Sequence, residues 1–333
     1  MTRQNRLASQ RFLQGFSLIE LMVSLVIGLL ILTAAFSAYL GASGAGKAAE
    51  AQGRMNEDAQ VALTILAQQL RMAGNNPHQS GRSDSTRRNP VYTPYDPTVF
   101  STTPAVAPSA YSLRGCKGNF DNLATAISID TLTCGTQSVT SPDSIAVSYE
   151  ADAENSIEST DCVGARLTGI TISNPPGLSK PLYYVANNLF YIDTPASTRS
   201  SPSLYCKGNG KINGTNSIPQ PLVENIEDMQ ITYGAVAAGT VASGIKTMPI
   251  VGYLKTDKMF SGSPIADLSN EPERWARVIS VRICVLVRSA EPVATDAVSA
   301  RYVQCDGSTN TAPPDLRLRR AYHATVVLRN RRP

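Results

Sequence analysis

The sequence predicts an α+β fold: one long N-terminal helix packed on antiparallel β-sheet, with the sheet region stapled by disulfides. Three observations carry this. An apolar run from Phe16 to Leu40 passes into a one-sided helical pattern that lasts to Ala73. Beyond it, short runs rich in Val, Ile, Thr and Tyr are divided by Gly, Pro, Asn and Ser clusters, and no second long helical pattern alternates with them. That absence speaks against a parallel βαβ sheet. Finally, Cys116, Cys134, Cys162, Cys206, Cys284 and Cys305 all lie past the apolar run. An even count on the translocated side of a membrane points to a disulfide framework.

The first 15 residues hold Arg3, Arg6 and Arg11 and no acidic residue. Their charge keeps that end cytoplasmic by the positive-inside rule. Gly15-Phe16-Ser17-Leu18-Ile19-Glu20 follows. A carboxylate at the head of a membrane-length apolar segment is expensive, so Glu20 is a functional residue awaiting a partner. The 25 residues from Phe16 to Leu40 span roughly 37 Å as helix, enough to cross a bilayer with tilt. Two plainer readings compete. One is a secretory signal peptide cut near Ala35-Phe36-Ser37, the other an uncleaved anchor. Glu20 and the continuing helix pattern argue against both.

Charged leader, junction Gly, Phe in first place and Glu in fifth together resemble the processing site of type IV prepilins and type II pseudopilins. The resemblance implies a 1–15 leader removed by a prepilin peptidase between Gly15 and Phe16, with methylation of the new Phe16 amino group. It also implies that Glu20 acts in subunit assembly.

The second half of the helix, 41–74, places Met55, Ala59, Ala62, Leu66, Leu70 and Ala73 on one stripe. Gly74-Asn75-Asn76-Pro77 supplies its stop. Uninterrupted from Phe16 to Ala73, such a helix is roughly 87 Å long. Gly41 to Lys47 spells GxxxxGK, but Ala48 stands where a P-loop needs Ser or Thr, and no strand precedes it. Its glycines make it the softest stretch of the helix, the place expected to bend or melt.

The remainder, 75–333, is expected to form a β-rich head. Residues 75–115 look like a long surface excursion. Strands are expected at Ala124–Leu132, Ser144–Glu150, Thr168–Ser173, Leu182–Asp193, Leu222–Tyr233, Arg277–Ser289 and Tyr322–Arg329. Fifteen cysteine pairings are possible, and pairing of neighbours is the simplest. The runs around Asp143–Glu150, Thr160–Gly164, Ser203–Cys206, Leu222–Gly234, Val278–Cys284 and Arg319–Arg331 resemble the PilW family of minor type IV pilins, similar in fold to the J-type minor pseudopilin.

Net charge is +4, and loss of the three leader arginines leaves +1, so no global charge argues for nucleic acid. His78 and His323 stand in no ligand or triad spacing, and no nucleophile motif occurs, so no enzyme and no cofactor are expected. Asp152, Glu154, Glu158 and Asp161 form an acidic stretch that is a weak calcium candidate, with a solvated loop as the plainer reading. Arg317, Arg319, Arg320, Arg329, Arg331 and Arg332 form a basic C-terminal cluster, read as a solvated or inter-subunit edge rather than a DNA site. The resemblance implies a minor pilin at or near a pilus tip. Its partners would be other minor pilins, the major pilin, the prepilin peptidase and possibly a tip adhesin. It would reside in the inner membrane, head in the periplasm, before reaching the cell surface. A type II secretion pseudopilin and an adhesin or DNA-binding tip module are the alternatives.

Overall fold

The computed structural model describes residues 17–75, 111–121, 123, 128–135, 138, 141–151, 159–169, 184–194, 201–236, 250–260 and 271–331. The chain forms two compact units, Met1–Glu50 and Ala51–Pro333. Helix α1 is continuous from Leu18 to Met72. The glycine-rich stretch from Gly41 to Lys47 is helical throughout, contrary to the expected melting.

In the second unit the strands follow as β1 (Leu113–Lys117), β2 (Asp143–Ala151), β3 (Tyr184–Asp193), β4 (Ser203–Lys207), β5 (Lys211–Ile212), β6 (Thr215–Asn216), β7 (Gln220–Glu224), β8 (Ile226–Val236) and β9 (Ile250–Lys255). Two short helices, α2 (Thr256–Phe260) and α3 (Glu271–Ala276), precede β10 (Val278–Pro292), β11 (Tyr302–Val303), β12 (Thr309–Asn310) and β13 (Arg317–Val327). The pairing is antiparallel throughout. One sheet has the order β1-β2-β3-β4-β7, the other β13-β10-β8-β9, and β5-β6 and β11-β12 are small ribbons.

β2 is buried along its whole length, whereas on β10 the alternation leaves an outward position. On β10, Val281, Ile283, Val285 and Val287 enter the core while Arg282 faces out. All six residues of the helical stripe are buried in that same core. The helix is also tied to both sheets. Asn188 on β3 donates to Gln69 Oε1 at 2.8 Å, and the Tyr322 hydroxyl on β13 donates to Asn56 Oδ1 at 2.5 Å. The disulfides are Cys116–Cys134, Cys162–Cys206 and Cys284–Cys305.

Four expectations are corrected. Leu222–Tyr233 is two strands in different sheets, β7 and β8. Asn225 breaks the run with φ 63, a left-handed conformation that Asn tolerates better than most residues. Within Ala124–Leu132, the described residues form a 3-10 turn at Ile129–Thr131. The Ser128 hydroxyl accepts from Asp130 N at 3.3 Å, a local bond that competes with strand pairing. Thr168 and Gly169 join no strand, and the rest of Thr168–Ser173 lies outside the described residues. β1, with Leu113 fully buried, occupies the end of the expected surface excursion, because its apolar side chains complete the first sheet's core.

Candidate assembly interface

The first unit is an apolar surface with one carboxylate at its head. An 18-residue window of α1 is long and apolar enough to cross a membrane, and none of it is buried. Leu18 is 79% exposed and Leu25 58%. Three of its hydroxyls are satisfied within the helix. Ser24 donates to Glu20 O at 2.7 Å, Thr33 to Leu30 O at 2.9 Å and Ser37 to Ala34 O at 2.9 Å. This backbonding lets polar side chains sit in an apolar segment without unmet hydrogen bonds.

Glu20 has a partner inside its own chain. Ser17 N donates to Glu20 Oε2 at 3.0 Å, and Glu20 N donates to Ser17 Oγ at 3.2 Å. This is a reciprocal capping box, in which residues three apart satisfy two orphan donors of the first helical turn. The Ser-x-x-Glu spacing at 17–20 carries that signal, and the sequence reading passed over it. Glu20 therefore starts the helix as well as presenting a carboxylate at its end. Gly15 and Phe16 lie outside the described residues.

In the head, Asp161 serves as a clamp. Oδ1 accepts from Val163 N at 3.0 Å and Ala165 N at 2.9 Å, and Oδ2 accepts from Gly210 N at 2.8 Å and the Ser217 hydroxyl at 3.3 Å. Asp161 thus ties the loop at the Cys162–Cys206 disulfide to the turn after β4. Asp152, Glu154 and Glu158 lie outside the described residues, and no metal-ligating cluster occurs among the described ones.

Two arginines of the C-terminal basic cluster, Arg317 and Arg319, are engaged internally. Arg319, buried, donates from Nε to Glu227 Oε2 at 2.5 Å, from Nη2 to Glu227 Oε1 at 3.1 Å and from Nη1 to Asp315 Oδ1 at 2.7 Å. Burial works against its charge, but these bonds outweigh it and hold the guanidinium above the usual arginine range. Arg317 donates to Ser289 O at 3.0 Å and pairs with Asp315 at 3.5 Å. Arg320 is exposed, with its guanidinium 5.6 Å from the Tyr322 ring centre. His323 is exposed on β13, its Nε2 3.9 Å from Cys284 Sγ. His78 and Arg332 lie outside the described residues.

A second cluster fastens α3 to β1. Trp275 meets Tyr233 edge to face at 4.9 Å and donates to Glu271 Oε1 at 3.1 Å. Glu271 in turn pairs with Arg114 at 3.1 Å. Gly115 leaves the space that the Tyr233 hydroxyl fills, since a Cβ there would overlap it.

Comparison with known proteins bears on these features. The family described as type IV pilus-assembly protein W matches residues 189–330, and the prokaryotic N-terminal methylation motif matches residues 13–36. No curated protein matches the chain. Among solved structures, a type IV-like pilin from Thermus thermophilus is similar at 11% identity and a TM-score of 0.27, covering 57% of this chain and 80% of that one. The methylation motif spans the capping box and the start of the exposed apolar run. The assembly-protein region runs from within β3 to the residues just past β13. Bearing both, the chain is a type IV pilin-like protein with a region matching the family of type IV pilus-assembly protein W.

Proposed function

We propose that the protein is a minor pilin that primes assembly of a type IV pilus and is built in at or near its tip, serving twitching motility and adhesion. The observation that carries this reading is the exposed apolar length of α1 with the Glu20 carboxylate at its head. In this reading a prepilin peptidase removes residues 1–15 and Phe16 is methylated. Residues 16–40 hold the subunit in the inner membrane with the 75–333 head in the periplasm, and 41–74 joins them. On assembly, Glu20 leaves its Ser17 contact for the terminal ammonium of a neighbouring pilin. Pairing removes the cost of two charges held apart in an apolar medium. The role is structural and needs no cofactor. A bulky head fits a filament end better than a stacked shaft.

The test separates the two tasks of Glu20. Gln at the third helical position keeps a capping box but carries no charge. Glu20→Gln should leave processing and membrane insertion intact and still abolish incorporation into pili, as Glu20→Ala should. Surface pili and incorporated subunit are scored in a strain lacking the native copy. Normal incorporation of Glu20→Gln would overturn the charge-pairing mechanism.

A further inference from the structure

The four outer edges of the two large sheets differ in how they are guarded. Natural sheets blunt free edges with charges, prolines or cover, because an open edge is a template for another strand. β1 carries Arg114 and Lys117, both in ion pairs. β7 carries Pro221 and Glu224, and β13 carries Arg317, Arg319 and Arg320. β9 reads Ile250-Val251-Gly252-Tyr253-Leu254-Lys255, with no charge until its last residue and no proline. Among the described residues it pairs with β8 alone, and Val251 is 48% exposed.

The outer face beside this edge has a definite charge. Thr325, Arg282, Thr232 and Lys255 form one cross-strand row over β13, β10, β8 and β9. Arg282 lies 3.5 Å above the Tyr253 ring, and the Tyr253 hydroxyl shares a 3.0 Å hydrogen bond with Ser280. Arg282 and Lys255 are exposed, and neither forms an ion pair among the described residues. Asp306 feels Lys255 only weakly, its carboxyl being held down mainly by Ser308.

We propose that the free edge of β9 is a β-augmentation site. An extended, apolar segment of a neighbouring pilin subunit, bearing an acidic residue, adds there as a fifth strand. Main-chain hydrogen bonds give such an addition its affinity, and side chains at alternate positions give it specificity. A strand laid on β9 places one side chain beside Lys255 and another beside Val251. An acid at the first position meets the exposed Lys255 and Arg282, and a β-branched or aromatic residue at the second covers Val251. The cations make a second copy of this chain the poorer occupant, because its own β9 brings Lys255 and no acid.

The proposal rests on the reading that the chain joins a pilus, and the experiment keeps the two apart. p-Benzoylphenylalanine is placed at Val251 of the full-length protein in pilus-building cells, and the photo-adduct is mapped by mass spectrometry. The expected result is an adduct to a different pilin, in an extended segment with Asp or Glu about four residues from the linked site. Lys255→Glu combined with Arg282→Glu should lower that adduct at least tenfold, and changing the partner's acid to Lys should restore it. Retention of the Cys284–Cys305 disulfide in the double variant checks that the sheet still folds. An adduct to a second copy, an adduct indifferent to charge reversal, or none at all from subunits that do enter pili would overturn the edge proposal alone. Subunits that never enter pili would instead overturn the pilin reading on which it rests.

Discussion

Asp143 shows what burial does to a single residue. It lies at the start of β2, its Oδ2 accepting from Ile231 N at 2.7 Å and its Oδ1 3.3 Å from Lys117 Nζ. Burial dominates these contacts and pushes its carboxyl up to about 6. The folded state therefore prefers the protonated acid more than the unfolded chain does. Stability from this group is fully present below the unfolded value near 3.8 and is lost as pH rises through about 6. The protein should thus gain stability from pH 7 to pH 5, by about 1 kcal/mol. Asp143→Asn should flatten that slope, measured as urea midpoints at pH 5, 6 and 7. Equal slopes in both proteins would refute it. Gly208 is a second such site. A Cβ there would overlap the Asp161 carboxylate, so Gly208→Ala should displace the clamp and cost about 1–3 kcal/mol, read as a lowered melting temperature. An unchanged melting temperature would show that the clamp yields freely.

At the scale of elements, Asn225 decides that one apolar run becomes two strands. Its φ of 63 and its hydrogen bonds let the chain leave the first sheet and enter the second. The Arg288 N–H donates to its carbonyl at 2.9 Å, and the Ser201 hydroxyl to its Oδ1 at 2.8 Å. Asn225→Gly should be tolerated, whereas Asn225→Val should cost about 1–3 kcal/mol, because a β-branched residue is strained there. Chemical denaturation of the pair checks the order, and equal stability would show that the backbone relaxes at no cost. The excursion from 293 to 316, carrying β11 and β12, has a different anchor. Ala300 is its one fully buried apolar residue among the described ones, and Val298 and Val303 are exposed. The Cys284–Cys305 disulfide and the packing of Arg319 on Tyr302 at 5.4 Å hold it. Replacing both cysteines by Ser should speed amide exchange across 293–316 far more than within β8 and β10. Uniform acceleration would mean the disulfide supports the whole sheet.

Over the whole molecule, apolar side chains do two different jobs. Leu66, 1% exposed, belongs to the head's core, and Leu66→Ala should cost it about 2–5 kcal/mol. Leu25 lies on the exposed band. Leu25→Ala should leave the head's unfolding temperature unchanged in detergent, and Leu25→Asp should release the protein from membranes. A head destabilised by Leu25→Ala would contradict this division.

The sequence by itself determined the elements whose signals are local. The apolar run, the stripe at steps of three and four, and the alternation around Arg282 on β10 depend on neighbours within a few turns or strands. Those local rules carried over directly to burial in the folded chain. The capping box at Ser17 and Glu20 was equally local and stood in the sequence unread. Neighbour pairing of the cysteines, the simplest choice by sequence, is what the structure forms, whereas tertiary structure alone decided where Leu222–Tyr233 breaks and which arginines turn inward. Arg319 looked like part of a solvated basic edge. It is buried because Glu227, 92 residues away in sequence, arrives on β8 of the same sheet to meet it. Such contacts depend on which distant segments are brought together, and no periodicity along the chain encodes that.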